Sequence, residues 1–401
     1  MTVLRQLLLS LGLLLWGTLG HGHNLGTSYS QWTLDAPSSD VGGANVQARV
    51  LQLQLSRLQL DPRYTPDYLT VVGERLAADL QLWAGDQRCV PSQVQARSDA
   101  DGWVSAHWRV TCPTPAPRLI RTRLFEVVAP SHLHFVRVDS PDHPNQHASQ
   151  QRVLSFAAPT LALDQAETTP DTLQHFVGIG IEHILGGWDH LAFLLMLILL
   201  AGSLREVALV ATGFTIAHSL TLAAASLGWI VVDQIRVEAL IGFSIALVAA
   251  ENLWLRSARD VWIPRLLLLA LLAVSILGHD RMPLLLMAAL AVFSFCYFGL
   301  LAQSTRPQRG RLVLTFVFGL IHGFGFAGLM GELQLPPAQL TLGLLGFNLG
   351  VELGQILMIA LIWPILVGLR RLPKASAWAT QGASAAVAGL GMFWFTTRLL
   401  A

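Results

Sequence analysis

The chain has 401 residues, 53% of them hydrophobic and only 13% charged, with a mean hydropathy of +0.52. Soluble domains carry about a quarter charged residues, so this composition puts most of the chain in a bilayer. A net charge of +1 without a concentrated basic patch excludes nucleic acid as a partner, because neutralising phosphates takes a dense cationic surface.

Residues 1–20, "MTVLRQLLLSLGLLLWGTLG", read as a signal peptide cleaved after Gly20, or alternatively as an uncleaved anchor. Residues 21–168 differ in character. "ANVQARVLQLQLSRLQL" (44–60) alternates polar and apolar with one slip, which predicts a half-buried strand with a bulge. Strands are also predicted at 102–112, 121–128, 132–138 and 151–156, and a helix, or a helix followed by a strand, at 65–83. If this segment is exported, Cys89 and Cys112 can pair as a disulfide. His107 and His134 read as surface residues of strands. The loop histidines His143 and His147, with His21 and His23, either collect metal outside or do nothing specific.

From residue 169 the pattern changes to apolar runs at 174–202, 206–226, 235–255, 262–278, 283–303, 312–330, 339–366 and 377–397. Each is near the ~20 residues that cross a bilayer, allowing for tilt. The expected fold class is a multi-pass all-α membrane bundle of about eight transmembrane helices, preceded by a mostly β, sandwich-like extracytoplasmic domain. With that domain outside, the opposite loops hold Arg205, Arg256, Arg259, Arg265, Arg306, Arg309, Arg311, Arg370, Arg371 and Lys374. The near side has only Arg236, Arg281 and Arg398. This asymmetry follows the positive-inside bias.

Ionisable groups in such runs are costly and functional by default. The first run holds Glu182, His183, Asp189 and His190, and the second holds His218 beside Thr215, Ser219 and Thr221. Glu238 and Glu251-Asn252 follow in the third, His322 in the sixth, and Asn348, Glu352 and Gln355 in the seventh. His183 and His190 are seven residues apart, which on a straight helix means one face but about 10 Å of rise. Either they are two stations on a path, or Gly186-Gly187 breaks the helix and folds one towards the other. One histidine from each of three helices, His190, His218 and His322, makes a workable shared centre whose nitrogen donors suit Zn, Ni or Co. Asp189 or Glu352 would be a ligand, or an acceptor fixing an imidazole tautomer. Gly319, Gly323, Gly325 and Gly328 read as close helix packing or, alternatively, a substrate niche. Taken singly, a membrane histidine is often a hydrogen-bonded packing group, and Glu251-Asn252 beside arginines can be an interfacial cap.

"HILGGWDH", with His183, five intervening residues and Asp189-His190, resembles the motif of the HupE/UreJ family, the hydrogenase and urease accessory membrane proteins regarded as nickel or cobalt permeases. "FGLIHGFGFAG" (318–328) and "FNLGVELGQ" (347–355) look like later motifs of that family, and the long form with an exported domain looks like its second branch. The typical family member is shorter and lacks such a β domain. The resemblance implies a bacterial inner-membrane protein in which His183, Asp189 and His190 select or pass a divalent metal, with His322 and Glu352 lining the route.

Two mechanisms of different class remain open. In a permease, His183 and His190 are successive stations and Asp189 offsets charge. No nucleotide-binding loop is present to drive it. In a membrane-embedded zinc hydrolase, His190, His218 and His322 hold the metal, Asp189 or Glu182 is the general acid or base, and Ser219 donates to an oxyanion. That set loosely resembles intramembrane ceramidase-like hydrolases, and its substrate would be a lipid or a membrane-borne protein. A third reading is an assembly scaffold or sensor.

Overall fold

The computed structural model describes residues 27–36, 42–55, 60, 65–99, 103–114, 119–124, 132–139, 150–156, 158–163, 169–257, 259–277, 284–304, 307–326 and 337–400. The expected signal segment, His21, His23, His143, His147, Gly328 and the 278–283 connection lie outside the described residues. The chain forms two compact units, one of Asn24–Thr172 together with Leu335–Leu340, the other holding Leu173–Gln334 and Thr341–Ala401.

Period-two alternation in the first unit closes two sheets. In chain order its elements are β1 (Thr27–Leu34), β2 (Gly43–Leu51), α1 (Gln52–Leu55), α2 (Tyr68–Asp79) and β3 (Leu80–Ala84), then β4 (Gln87–Arg88), β5 (Val90–Pro91) and β6 (Gln95–Ser98). β7 (Trp103–Thr111), β8 (Leu119–Thr122), β9 (Leu133–Asp139), β10 (Gln150–Leu154) and β11 (Thr160–Ala162) complete it. One sheet has the order β10-β9-β1-β2-β7-β5, with β6 also on β7, and the other has the order β11-β8-β3-β4. β1 and β9 run parallel, whereas β1–β2 and β2–β7 are antiparallel. Trp32, Val46, Val50 and Val110 from the first sheet meet Leu80, Leu82 and Ile120 from the second and Val72 and Leu76 of α2 in one core. Cys89 and Cys112 form a disulfide. Because the Cys89 amide donates to Leu82 on β3 while Cys112 follows β7, the bridge ties the two sheets together.

Two expectations for this unit are corrected. The strand predicted through residue 60 ends at Leu51, where α1 begins. Its Leu-Gln repeat lacks β-branching and favours helix, and the turn buries Leu55 in the core. His134, expected on the surface, is fully buried. On β9 it shares the inward face with Val136 and Val138, and its ring nitrogens lie 2.6 Å from Ser28 Oγ and 2.8 Å from Ser30 Oγ. Two serines on the parallel neighbour β1 thus make an imidazole affordable in the interior.

The second unit is helical: α3 (Thr169–Gly186), α4 (Trp188–Leu200), α5 (Leu204–Ser226), α6 (Gln234–Arg256), α7 (Trp262–Leu277), α8 (Leu284–Gln303), α9 (Pro307–Gly325), α10 (Pro337–Arg370) and α11 (Pro373–Leu400). Among the described residues, α5, α6, α8 and α10 are each long and apolar enough to cross a membrane, and α3 with α4 qualifies as a pair bent by 71°. α7 and α9 are shorter apolar helices. The eight runs therefore become helices, but length and composition support four or five spans. α11 trades hydropathy for small residues: a Cβ on its Gly391 would lie 2.6 Å from the Ala246 amide, and one on Gly242 of α6 2.7 Å from the Phe395 amide. Such backbone contact is how helices associate when lipid offers no hydrophobic drive. Gly180 and Gly350 bring α3 against α10 in the same way, and Gly319 and Gly323 bring α9 against α5. Apolar side chains such as Leu285, Phe295 and Leu300 face outward from α8, as in a helix that meets lipid.

Candidate metal-binding site

α3 ends and α4 begins at Gly187, whose backbone is extended. A Cβ at this position would lie 2.7 Å from the His183 carbonyl and 2.8 Å from His190 Nδ1, so only glycine fits. The resulting 71° bend folds His183 back onto His190, and their ring centroids stand 4.4 Å apart. Of the two arrangements open from sequence, the structure has the folded one.

His218 of α5 and His322 of α9 join them. His190 lies 6.3 Å from His218 and 5.5 Å from His322, and His183 lies 6.1 Å from His218, all between ring centroids. The four rings are at most 8% exposed. Phe193, Phe214, Phe326 and Phe347 wall the cluster in; Phe326 and Phe347 stack on each other at 4.3 Å beside His183. His190, His218 and His322, one from each of three helices, thus lie near one another, and the helix break adds His183.

Hydrogen-bond accounting identifies which nitrogens carry free lone pairs. Asp189 Oδ1 accepts from the His190 amide at 2.9 Å and lies 3.0 Å from His190 Nδ1. A carboxylate accepts only, so Nδ1 carries the hydrogen and Nε2 the lone pair. Ser244 of α6 donates its one hydroxyl hydrogen to the Ile241 carbonyl at 2.7 Å. It must therefore accept from His322 Nε2 at 3.0 Å, which leaves the lone pair on His322 Nδ1. His190 Nε2, His322 Nδ1 and both nitrogens of His183 and of His218 are buried without a hydrogen-bond partner. Buried polar atoms are rarely left so, and this concentration makes the cluster a candidate site for a donor or a cation.

The donor chemistry fits a late first-row divalent metal. The geometry as it stands does not form a closed cage. Among the described residues no group of three or more His, Cys, Asp or Glu side chains converges closely enough to hold an ion. Binding thus requires the rings to turn.

The remaining candidates sort by position. Gln355 accepts from Thr215 at 3.1 Å and, with His190, lines a small cavity against the cluster. Glu352 accepts from Thr212 at 2.8 Å on the exposed side of α5 and α10. Asn348 donates to the Leu344 carbonyl of its own helix. Ser219 donates to the Thr215 carbonyl at 2.7 Å, which uses the hydrogen an oxyanion would need. Glu182 is half-buried and, as the residue before His183, points about 100° away around α3. Gly319 and Gly323 open no niche: Cβ atoms there would overlap α5 backbone at Phe214 and His218.

Ser244 was missed from sequence; its one signal is a hydroxyl in an otherwise apolar stretch of α6. Glu251-Asn252 is also corrected from an interfacial cap. Glu251 is fully buried and paired with Arg311, and Asn252 donates to the Met196 carbonyl of α4. Arg311, counted as a loop charge, sits inside α9 at 3% exposure.

The family model described as HupE / UreJ protein matches residues 160–274 and 267–398, more than half of the chain. Comparison with curated proteins gives no match. The match covers the helices that carry the histidine cluster and stops short of nearly all the β unit, and on this evidence the chain belongs to the HupE/UreJ family.

Proposed function

We propose that the helical unit passes a divalent transition-metal ion, nickel, cobalt or zinc, across the bacterial inner membrane through the histidine cluster. The observation that carries this reading is the fold-back at Gly187, which gathers His183, His190, His218 and His322 in a buried pocket with unpartnered ring nitrogens. Membership of the HupE/UreJ family, associated with nickel and cobalt handling, points the same way. A permeation site must bind well enough to desolvate the ion and weakly enough to release it. Imidazoles that are gathered but not locked into a cage suit that demand better than they suit a resident hydrolytic metal. In this reading all eight apolar runs span the membrane, the arginine-bearing ends are cytoplasmic and the β unit lies outside. Asp189 holds the His190 tautomer and offsets part of the ion's charge.

Reconstituted protein is expected to carry Ni²⁺ or Co²⁺ into liposomes containing a metal-sensitive dye, and His190→Ala is expected to abolish it. Uptake by His190→Ala at the wild-type rate would remove the cluster from the route. Tightly retained stoichiometric zinc with hydrolysis of a lipid amide and no uptake would favour the enzyme reading instead.

A further inference from the structure

A second buried polar cluster lies in the same helices. Arg311 of α9 places its terminal nitrogens 3.2 Å from Glu206 of α5 on one side and 3.2 Å from Glu251 of α6 on the other. Glu206 is itself anchored, because its other oxygen accepts from the Gly202 amide at 2.9 Å. Glu251 has 0% side-chain exposure, Arg311 4% and Glu206 18%. Glu251 Oε2 has no hydrogen-bond partner, and the Tyr297 phenol lies beside Glu251 without closing a hydrogen bond.

The cluster lies on the route from the histidines to the arginine-bearing end. Glu206 and His218 are twelve residues apart on α5, about 18 Å of rise. Arg311 and His322 are eleven apart on α9, about 16 Å in the same direction, because α9 runs parallel to α5: its Gly319 meets Phe214 and its Gly323 meets His218. Phe193, Phe214 and Phe318 fill the interval, with Phe193 5.2 Å from Phe214 and 6.2 Å from Phe318 between centroids. At that end Arg256 and Arg370 donate to the Leu199 and Ala201 carbonyls, where α4 finishes.

We propose that Glu206 and Glu251 form a second divalent-cation site, the release station of the proposed transport route, and that Arg311 holds it shut. The inference rests on the transport reading for its direction and on the ion network for its chemistry. Two ionised carboxylates facing one guanidinium leave a net charge of −1 in a buried site, whereas a divalent cation in its place leaves none. An ion arriving from the histidines therefore displaces Arg311 with a better charge match. Arg311 returns when the ion leaves. The change from imidazole to carboxylate donors lowers affinity for a late first-row metal, which favours release. The bland alternative is a helix lock in which the ion pairs only set register.

Manganese, which prefers oxygen donors, separates the two accounts when titrated into the purified full-length protein and followed by electron paramagnetic resonance. R311Q is expected to bind one Mn²⁺ more than wild type, at least about tenfold more tightly than any wild-type site, and R311Q/E251Q to lose it. R311K, which keeps the charge but cannot bridge both carboxylates, serves if R311Q fails to fold, and is expected to bind that Mn²⁺ with intermediate affinity. No added Mn²⁺ in R311Q or R311K, or added Mn²⁺ that survives E251Q, would overturn the site. In uptake assays E251Q is expected to slow transport about tenfold while the histidines still bind Co²⁺, seen by its ligand-field absorption. Wild-type rates in E251Q would overturn its role in release. A wild-type protein that carries no metal would sink the transport reading alone, and the manganese titration would still decide whether the carboxylate pair is a cation site.

Discussion

Ser244 owns one hydrogen and gives it to the Ile241 carbonyl, and that single commitment fixes which nitrogen His322 can offer a metal. Asp189 does the same for His190 through Nδ1. These two neighbours aim the lone pairs of adjacent rings. Ser244→Ala is expected to lower Co²⁺ affinity about tenfold with the fold intact, read by absorption titration of the purified protein. An unchanged affinity would mean that Ser244 does not set the tautomer. Asp189 was found from sequence because a carboxylate beside a histidine in an apolar run stands out. A serine does not, since its role exists only through a residue 78 positions away.

At the scale of elements, one glycine decides the site. Gly187→Ala puts a Cβ 2.7 Å from the His183 carbonyl, so the bend must open and the two rings separate. Metal uptake in liposomes is expected to fall at least about tenfold, since one lost charge-assisted contact of ~1.4 kcal/mol already has that effect. Retained uptake would show that the fold-back is dispensable. In the β unit the parallel β1–β9 pair carries its own buried histidine. Burial, with His132 alongside, pushes His134 from 6.5 down to about 3. The unfolded chain then holds a proton that the folded domain refuses between about pH 3 and 6.5. Stability is complete above that window and falls as pH drops through it, by up to ~1.4 kcal/mol per pH unit. Hydrogen exchange of the β1 and β9 amides at pH 7 and pH 5 measures this. His134→Gln is expected to flatten the difference, and an equal slope in both proteins would contradict the assignment. The alternation of "HLHFVRV" placed His134 on a face with valines, but whether that face pointed inward depended on β1 supplying serines opposite.

Across the whole molecule, two solvents impose two kinds of order. The polar unit packs one apolar core between its sheets and α2 and closes it with Cys89–Cys112, 23 residues apart. In the loop-entropy account such a bridge stabilises by about 3 kcal/mol. Cys89→Ser with Cys112→Ser is expected to lower the denaturant midpoint of the β unit accordingly, as reductant would in the wild type. An unchanged midpoint would show that the bridge contributes nothing. The helical unit has no comparable hydrophobic drive, and instead brings backbones together at Gly180 with Gly350, Gly242 with Gly391, and Gly319 and Gly323 against α5. Some of its charges form pairs within the helices, Arg311 with Glu206 and Glu251, and Arg398 with Glu238.

The sequence by itself determined the division into a β unit and an apolar helical unit, the family, and the identity of every histidine in the cluster. Composition and period are properties of local runs, and an ionisable group in an apolar run is conspicuous because lipid makes it expensive. Only the tertiary structure decided that His183 and His190 share one pocket, that Ser244 and Asp189 choose their neighbours' tautomers, and that Arg311 is an interior cation rather than a loop charge. The physical reason is common to all three. Each depends on a bend or a helix–helix approach that sets distances between residues far apart in the chain, and periodicity along a single run carries no record of such distances.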